Sequence, residues 1–114
     1  MTVGDVVRAM GLEVLAGQSA LEREVTGGYA SDLLSCVMAR ARKGNLWVTL
    51  QAHTNVVAVA SLLELAAVII TEGMRPDEGA LDKAQAEGVV LLSSPETTFA
   101  VVARLAAMGV QAGS

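Results

Sequence analysis

The residues of this chain that could do chemistry gather at four places where an apolar run gives way to a turn. They are Thr26-Gly27-Gly28 with Tyr29, the stretch Gln51 to Asn55, Thr71-Glu72-Gly73, and Ser93-Ser94-Pro95-Glu96-Thr97. Each is short and rich in hydroxyls, amides or glycine, and two lead directly into predicted helix starts. Hydroxyls, free backbone N–H groups and a helix dipole aimed at one crevice suit a small anion such as a phosphate or a carboxylate. The same residues also answer purely structural needs. Thr54 or Asn55 and Ser94 can cap helices, and Pro95 fits a first helical turn.

His53 is the sole histidine and falls at a predicted strand end. It could donate to an anion or exchange a proton near neutral pH, and a surface histidine bonded to a nearby carbonyl would explain it equally well. No nucleophile or partner acid is tied to it by spacing, which disfavours a catalytic use. Thr26-Gly27-Gly28-Tyr29 reads either as a tight turn that admits a ligand to the backbone or as a bulge that redirects a strand. Asp32 could orient a ligand or only support a helix start, and Glu72 could touch a ligand or be an exposed loop acid. Cys36 lies mid-helix with no neighbouring base, the setting of a structural thiol.

Several chemistries lack their motifs. There is no Gly-x-x-x-x-Gly-Lys-Ser/Thr phosphate loop and no Gly-x-Gly-x-x-Gly. One cysteine and one histidine cannot build the usual zinc site, and no Ser-His-Asp arrangement is signalled. No cofactor or metal is expected, and an enzyme is the weaker class.

The elements that must position these residues follow from composition and period. With 114 residues, the chain is one domain, residues 1–114. Its hydrophobic fraction of 53% is ample for a core, and Tyr29, Trp47 and Phe99 are the only aromatics. The core must therefore be aliphatic, as suits parallel strands buried on both faces. A formal charge of −4 and a lone basic cluster, Arg40, Arg42 and Lys43, give nucleic-acid binding little support. That cluster closes a predicted helix, where it favours the negative dipole end. The longest apolar stretch, Val56 to Ile70, is broken by Ser61 and Glu64 and is too short to span a bilayer. No signal peptide is evident, and a lone thiol suits the cytosol.

Thr2 to Met10 is predicted as a helix capped by Thr2, and Leu12 to Leu15 as a short strand. A second strand is predicted over Glu24 to Ala30. Ser31-Asp32 then opens a helix that carries Leu33, Leu34, Val37, Met38 and Ala41 on one face. Strand Leu46–Leu50, helix Thr54–Leu65, strand Ala67–Ile70, helix Pro76–Glu87, strand Val89–Leu92 and a helix from Pro95 to Met108 follow. Strands separated by single helices imply right-handed crossovers. The expected fold is a three-layer α/β/α sandwich with a mainly parallel sheet. Helix Thr54–Leu65 has Glu64 as its one charge, and the last helix is nearly as bare. Either one of them is buried in a homo-oligomer, most simply a dimer, or both only pack on the sheet.

These residues resemble a known family. Val14-Leu15-Ala16-Gly17 and Leu21-Glu22-Arg23-Glu24-Val25-Thr26 look like the entry to the N-terminal domain of HPr kinase/phosphorylase. Glu64-Leu65-Ala66-Ala67-Val68-Ile69-Ile70-Thr71-Glu72-Gly73, then Pro76, Glu87-Gly88-Val89-Val90-Leu91-Leu92 and Ser94-Pro95-Glu96-Thr97-Thr98, resemble that domain again. The layout is shared by DRTGG domains, found beside paired CBS domains and in some phosphate acetyltransferases. The family name joins an Asp-Arg-Thr after one strand to a Thr-Gly-Gly after the next. Here those positions read His53-Thr54-Asn55 and Thr71-Glu72-Gly73. The resemblance implies a regulatory module without the phosphate-loop kinase domain, acting in trans on a partner enzyme or sensor protein or as a free ligand sensor.

Three functions compete at this point. The first is a non-catalytic sensor that binds a small anionic metabolite or nucleotide at the C-terminal strand ends, through Thr26, Gly27, Gly28, Gln51, His53, Thr54, Asn55, Thr71, Glu72, Gly73, Ser93, Ser94 and Thr97. The second is an interaction module whose apolar helices dock on a second copy or a partner enzyme. The third, the weakest, is a small enzyme using His53.

Overall fold

Alternate residues of the central strands point to opposite sides of the sheet, and both sides are apolar. Trp47, Val68, Ile70 and Leu91 face one core, while Leu46, Val48, Ala67, Ile69, Val90 and Leu92 face the other. A sheet of this kind must be covered by helices on both faces. The computed structural model describes residues 1–113 and shows that arrangement. In chain order the elements are α1 Val3–Met10, β1 Glu13–Ala16, β2 Gly27–Ala30, α2 Leu34–Arg40, β3 Asn45–Thr49, α3 Thr54–Leu62, β4 Ala67–Ile70, α4 Glu78–Glu87, β5 Leu91–Ser93 and α5 Thr98–Ala107.

The strand order is β1-β5-β4-β3-β2. Strands β2 to β5 are parallel, with Trp47 opposite Tyr29 and Val68, and β1 runs antiparallel along β5. Each crossover steps to the adjacent strand in the same direction, so α2, α3 and α4 share one face. They bury Val37, Val56, Val57, Ala60, Ala80 and Ala84 there. Helices α1 and α5 cover the other face with Val3, Val6, Val101 and Leu105. One face thus carries three helices and the other only two.

The element types match the sequence reading, and the boundaries shift for local reasons. The strand expected over Glu24 to Ala30 starts at Gly27, because Val25 N–H donates to Met1 and Thr26 N–H to Gly44. Helix α3 stops at Leu62, since Glu64 takes a left-handed φ of 55° and turns the chain into β4. Helix α5 starts at Thr98 with Thr97 as its cap, not Ser94, whose hydroxyl instead accepts Glu96 N–H in the preceding turn. Helix α2 starts at Leu34 with no side-chain cap, because the Ser31 hydroxyl closes a turn on Leu33 N–H. Its predicted apolar face is only partly buried: Val37 and Ala41 lie in the core, while Leu33 and Met38 are exposed.

Helix α1 carries the clearest local signal. The Thr2 hydroxyl accepts Asp5 N–H at 3.1 Å and the Asp5 carboxylate accepts Thr2 N–H at 2.9 Å, a reciprocal capping box. These Thr2 hydrogen bonds, with a smaller effect of Arg8, hold the Asp5 carboxyl below its ordinary value of 3.8. A lowered folded value means the stabilisation is complete above the ordinary value and fades as pH falls through the folded one. The melting temperature of Asp5→Asn should therefore lie below wild type at neutral pH. The two should converge in an acid titration below the carboxylate range.

Candidate functional site

The C-terminal strand ends bring together most of the polar residues singled out from the sequence, and they bond mainly to one another. The Asp32 carboxylate accepts the Thr49 hydroxyl at 2.8 Å and Leu50 N–H at 2.9 Å. Gln51 donates its N–H to Thr49 and its side-chain amide to the Asp32 carbonyl. His53 is itself the cap of α3, its Nδ1 accepting Asn55 N–H at 3.1 Å, so neither Thr54 nor Asn55 is the cap. Thr71 is fully buried, and its hydroxyl lies 2.6 Å from that of Thr98. Ser93 ends β5.

Glu72 fills the gap between the ends of β4 and β5. Its φ of 61° is left-handed, a conformation that costs a non-glycine residue about 1–3 kcal/mol. Its N–H donates to Glu96, and Gly73 N–H donates to Ser94. Its carboxylate accepts Thr98 N–H at 3.0 Å, in the first turn of α5. Asp77 caps α4 and Thr97 caps α5. Of the four helices that start at this end, α3, α4 and α5 are therefore capped by side chains of their own chain while α2 is not, and an anion approaching α5 would have to displace Glu72.

Three of the thirteen expected residues are elsewhere. Thr26 directly precedes β2 and Gly27 and Gly28 open it, at the opposite end of the sheet, because the strand expected over Glu24 to Ala30 begins only at Gly27. The glycines there serve the C-terminal tail. Gly28 N–H donates to Gln111, Gly113 N–H donates to Gly28, and a Cβ on Gly27 would lie 2.9 Å from Gly113. The Thr26 hydroxyl donates to the Lys43 carbonyl and accepts from the Asn45 amide.

That opposite end holds a cavity of about 610 Å³. It lies below the N-terminal ends of β3 to β5, where α3 and α4 finish. Ala60, Leu65, Ala66 and Val89, all buried, contribute an apolar lining, and Arg23, Glu24, Lys43, Glu64 and Glu87 bring charge to it. Arg23 donates to the Gly88 carbonyl at the end of α4, at 2.7 Å. Lys43 pairs with Glu64 at 3.5 Å, both well exposed. This region lies away from the C-terminal strand ends, where open parallel sheets usually bind ligands. Its sequence signal is charged residues beside each strand start: Arg23-Glu24, Lys43-Gly44, Glu64 and Glu87-Gly88. Among the described residues, no group of three His, Cys, Asp or Glu could hold a metal ion. No described helix is long and apolar enough to cross a membrane.

A family model described as the DRTGG domain matches residues 5–108. The chain belongs to the DRTGG domain family. No curated protein matches it. Among solved structures, the DRTGG domain described here is similar to the crystal structure of the CBS and DRTGG domains of the regulatory region of Clostridium perfringens pyrophosphatase, complexed with the activator diadenosine tetraphosphate. The TM-score is 0.74 at 11% identity, covering 96% of this chain and 47% of that one. The chain thus spans about half the length of that relative, and the likeness is one of fold. In this DRTGG domain the Thr71-Glu72-Gly73 turn has left-handed φ at both Glu72 and Gly73, a shape that a Gly-Gly pair adopts freely.

The Thr71–Thr98 hydroxyl pair ties β4 to α5 and gives this region a direct test. Thr71→Val should cost about 1 kcal/mol in urea unfolding. Combined with Thr98→Val, it should cost less than the two single losses together, because both changes remove one bond.

Proposed function

We propose that this DRTGG domain is a non-catalytic regulatory module that senses a nucleotide or similar small anionic metabolite. The cavity at the N-terminal strand ends carries the reading. Its volume of about 610 Å³ falls within the range of roughly 300–1,000 Å³ typical of small-molecule sites. An apolar lining beside charged groups suits an uncharged ring joined to an anionic group. The ends of α3 and α4 present partial negative charge to this region, so the ring lies innermost and the anion at the rim. Arg23 and Lys43 supply the cations there. An exposed pair such as Lys43–Glu64 contributes little, so Lys43 is free to turn to a phosphate.

The C. perfringens relative, whose regulatory region was solved with a dinucleotide activator, favours a nucleotide. The engagement of His53 Nδ1 with Asn55 N–H speaks against the enzyme reading. The resemblance to the N-terminal domain of HPr kinase supports regulation of a partner, and the cytosol is part of the same proposal. A second reading, an interaction module, is favoured by one observation: Phe99 on α5 is 85% exposed.

A thermal-shift screen of nucleotides and sugar phosphates tests the proposal. A ligand at a hundredfold its dissociation constant adds about 2.7 kcal/mol, or about 10 °C for a domain of this size. Ser61 also lines the cavity, so the shift should vanish in Lys43→Ala and in Ser61→Trp, which fills the space, and persist in His53→Ala and Thr71→Val. The reverse pattern would return the ligand to the C-terminal strand ends, with Glu72 displaced from α5. A flat screen would favour the interaction module.

A further inference from the structure

We infer that two copies of this chain pair through α5, each placing Phe99 in an apolar groove on the other. The inference is independent of the ligand cavity and rests on the sheet face that carries only α1 and α5. Beside α5 on that face, toward β2, runs a groove of about 200 Å³ lined by Ala30, Val48, Val102, Leu105, Ala106 and Val110. It occupies the place where the opposite face has a third helix. Phe99 projects from the same helix, 85% exposed. Phe99, Val102, Ala103 and Ala106 recur at helical spacing and form an exposed stripe opposite the buried Val101 and Leu105. One chain thus carries both a knob and a hole. A cavity of about 150 Å³ suffices for a benzene ring, so the groove has room for the phenyl group.

The occupant is a second copy because the surface complements itself. In a two-fold pair the α5 helices run antiparallel, and the first-turn Phe99 of one faces the last-turn Ala106 of the other. Arg104 is the only charged residue within α5, and it pairs with Glu96 just before the helix. A stable interface takes about 800 Å² from each copy, about a seventh of the 5585 Å² surface. Helix α5 alone is only about 15 Å long, so the contact must include the groove and the β2 side. Helix α3 does not offer such a face: Val56, Val57 and Ala60 are buried on the sheet, and Leu62 stands alone as a large exposed side chain.

Sedimentation equilibrium of the wild type should give twice the 11.7 kDa chain mass. Phe99→Glu should weaken association about thirtyfold or more, as expected for loss of a central aromatic anchor. It should keep the wild-type circular dichroism, since the side chain is on the surface. Leu62→Glu should leave the dimer intact. In a Cys36→Ala background, Val102→Cys should form an oxidative cross-link between copies and Leu62→Cys should not. A monomeric wild type, or a dimer that survives Phe99→Glu, would overturn the inference.

Discussion

The sheet is buried on both faces, and much of the molecule follows from that constraint. Polar groups between apolar layers would lose water without gaining partners, so they are driven to the strand ends. The core is correspondingly aliphatic, with Trp47 as its one large aromatic, and the Trp47 indole reaches the Ser31 carbonyl at the edge of the layer. Three like-handed crossovers lay three helices along one face. The chain's remaining helices fill the other face incompletely. A groove beside α5 and a cavity beneath α3 and α4 are what this topology leaves over.

The two ends of the sheet meet the same need in different ways. At the C-terminal ends, where helix N-termini offer free N–H groups, the chain supplies its own acceptors: His53, Asp77, Thr97 and Glu72. At the N-terminal ends, helix C-termini meet Arg23 and a lysine–glutamate pair around an apolar hollow. The first end is closed by internal bonds. The second leaves space.

Much of the architecture was legible because each element has an unambiguous pattern. Ala67–Ile70 is an apolar run that stops at the polar Thr71-Glu72-Gly73 turn, and the strand has those bounds. Strands alternating with single helices gave the parallel sheet and its layers. Boundaries were less legible where a turn competes with a helix. Ser94-Pro95-Glu96 looks like a helix start, but the Ser94 hydroxyl closes a separate turn before Thr97 takes the cap. Ten of the thirteen candidate residues do lie at the C-terminal strand ends. Thr26, Gly27 and Gly28 do not, because Glu24 and Val25 pair with the N-terminal segment rather than with β3. That pairing is long-range and leaves no periodic trace. The cavity was illegible for a related reason: Arg23, Lys43, Glu64 and Glu87 are scattered in sequence, and only the crossovers bring them together.

The central claim is that a ligand enters at the N-terminal strand ends. Titration of the ¹⁵N-labelled protein with ATP and with diadenosine tetraphosphate, followed by amide chemical shifts, tests it most directly. The account predicts saturable shifts at Ser61 to Ala66 and Glu87 to Val89, with Gln51 to Asn55 and Thr71 to Gly73 unmoved. Shifts confined to those strand-end turns, or none with either nucleotide, would contradict it.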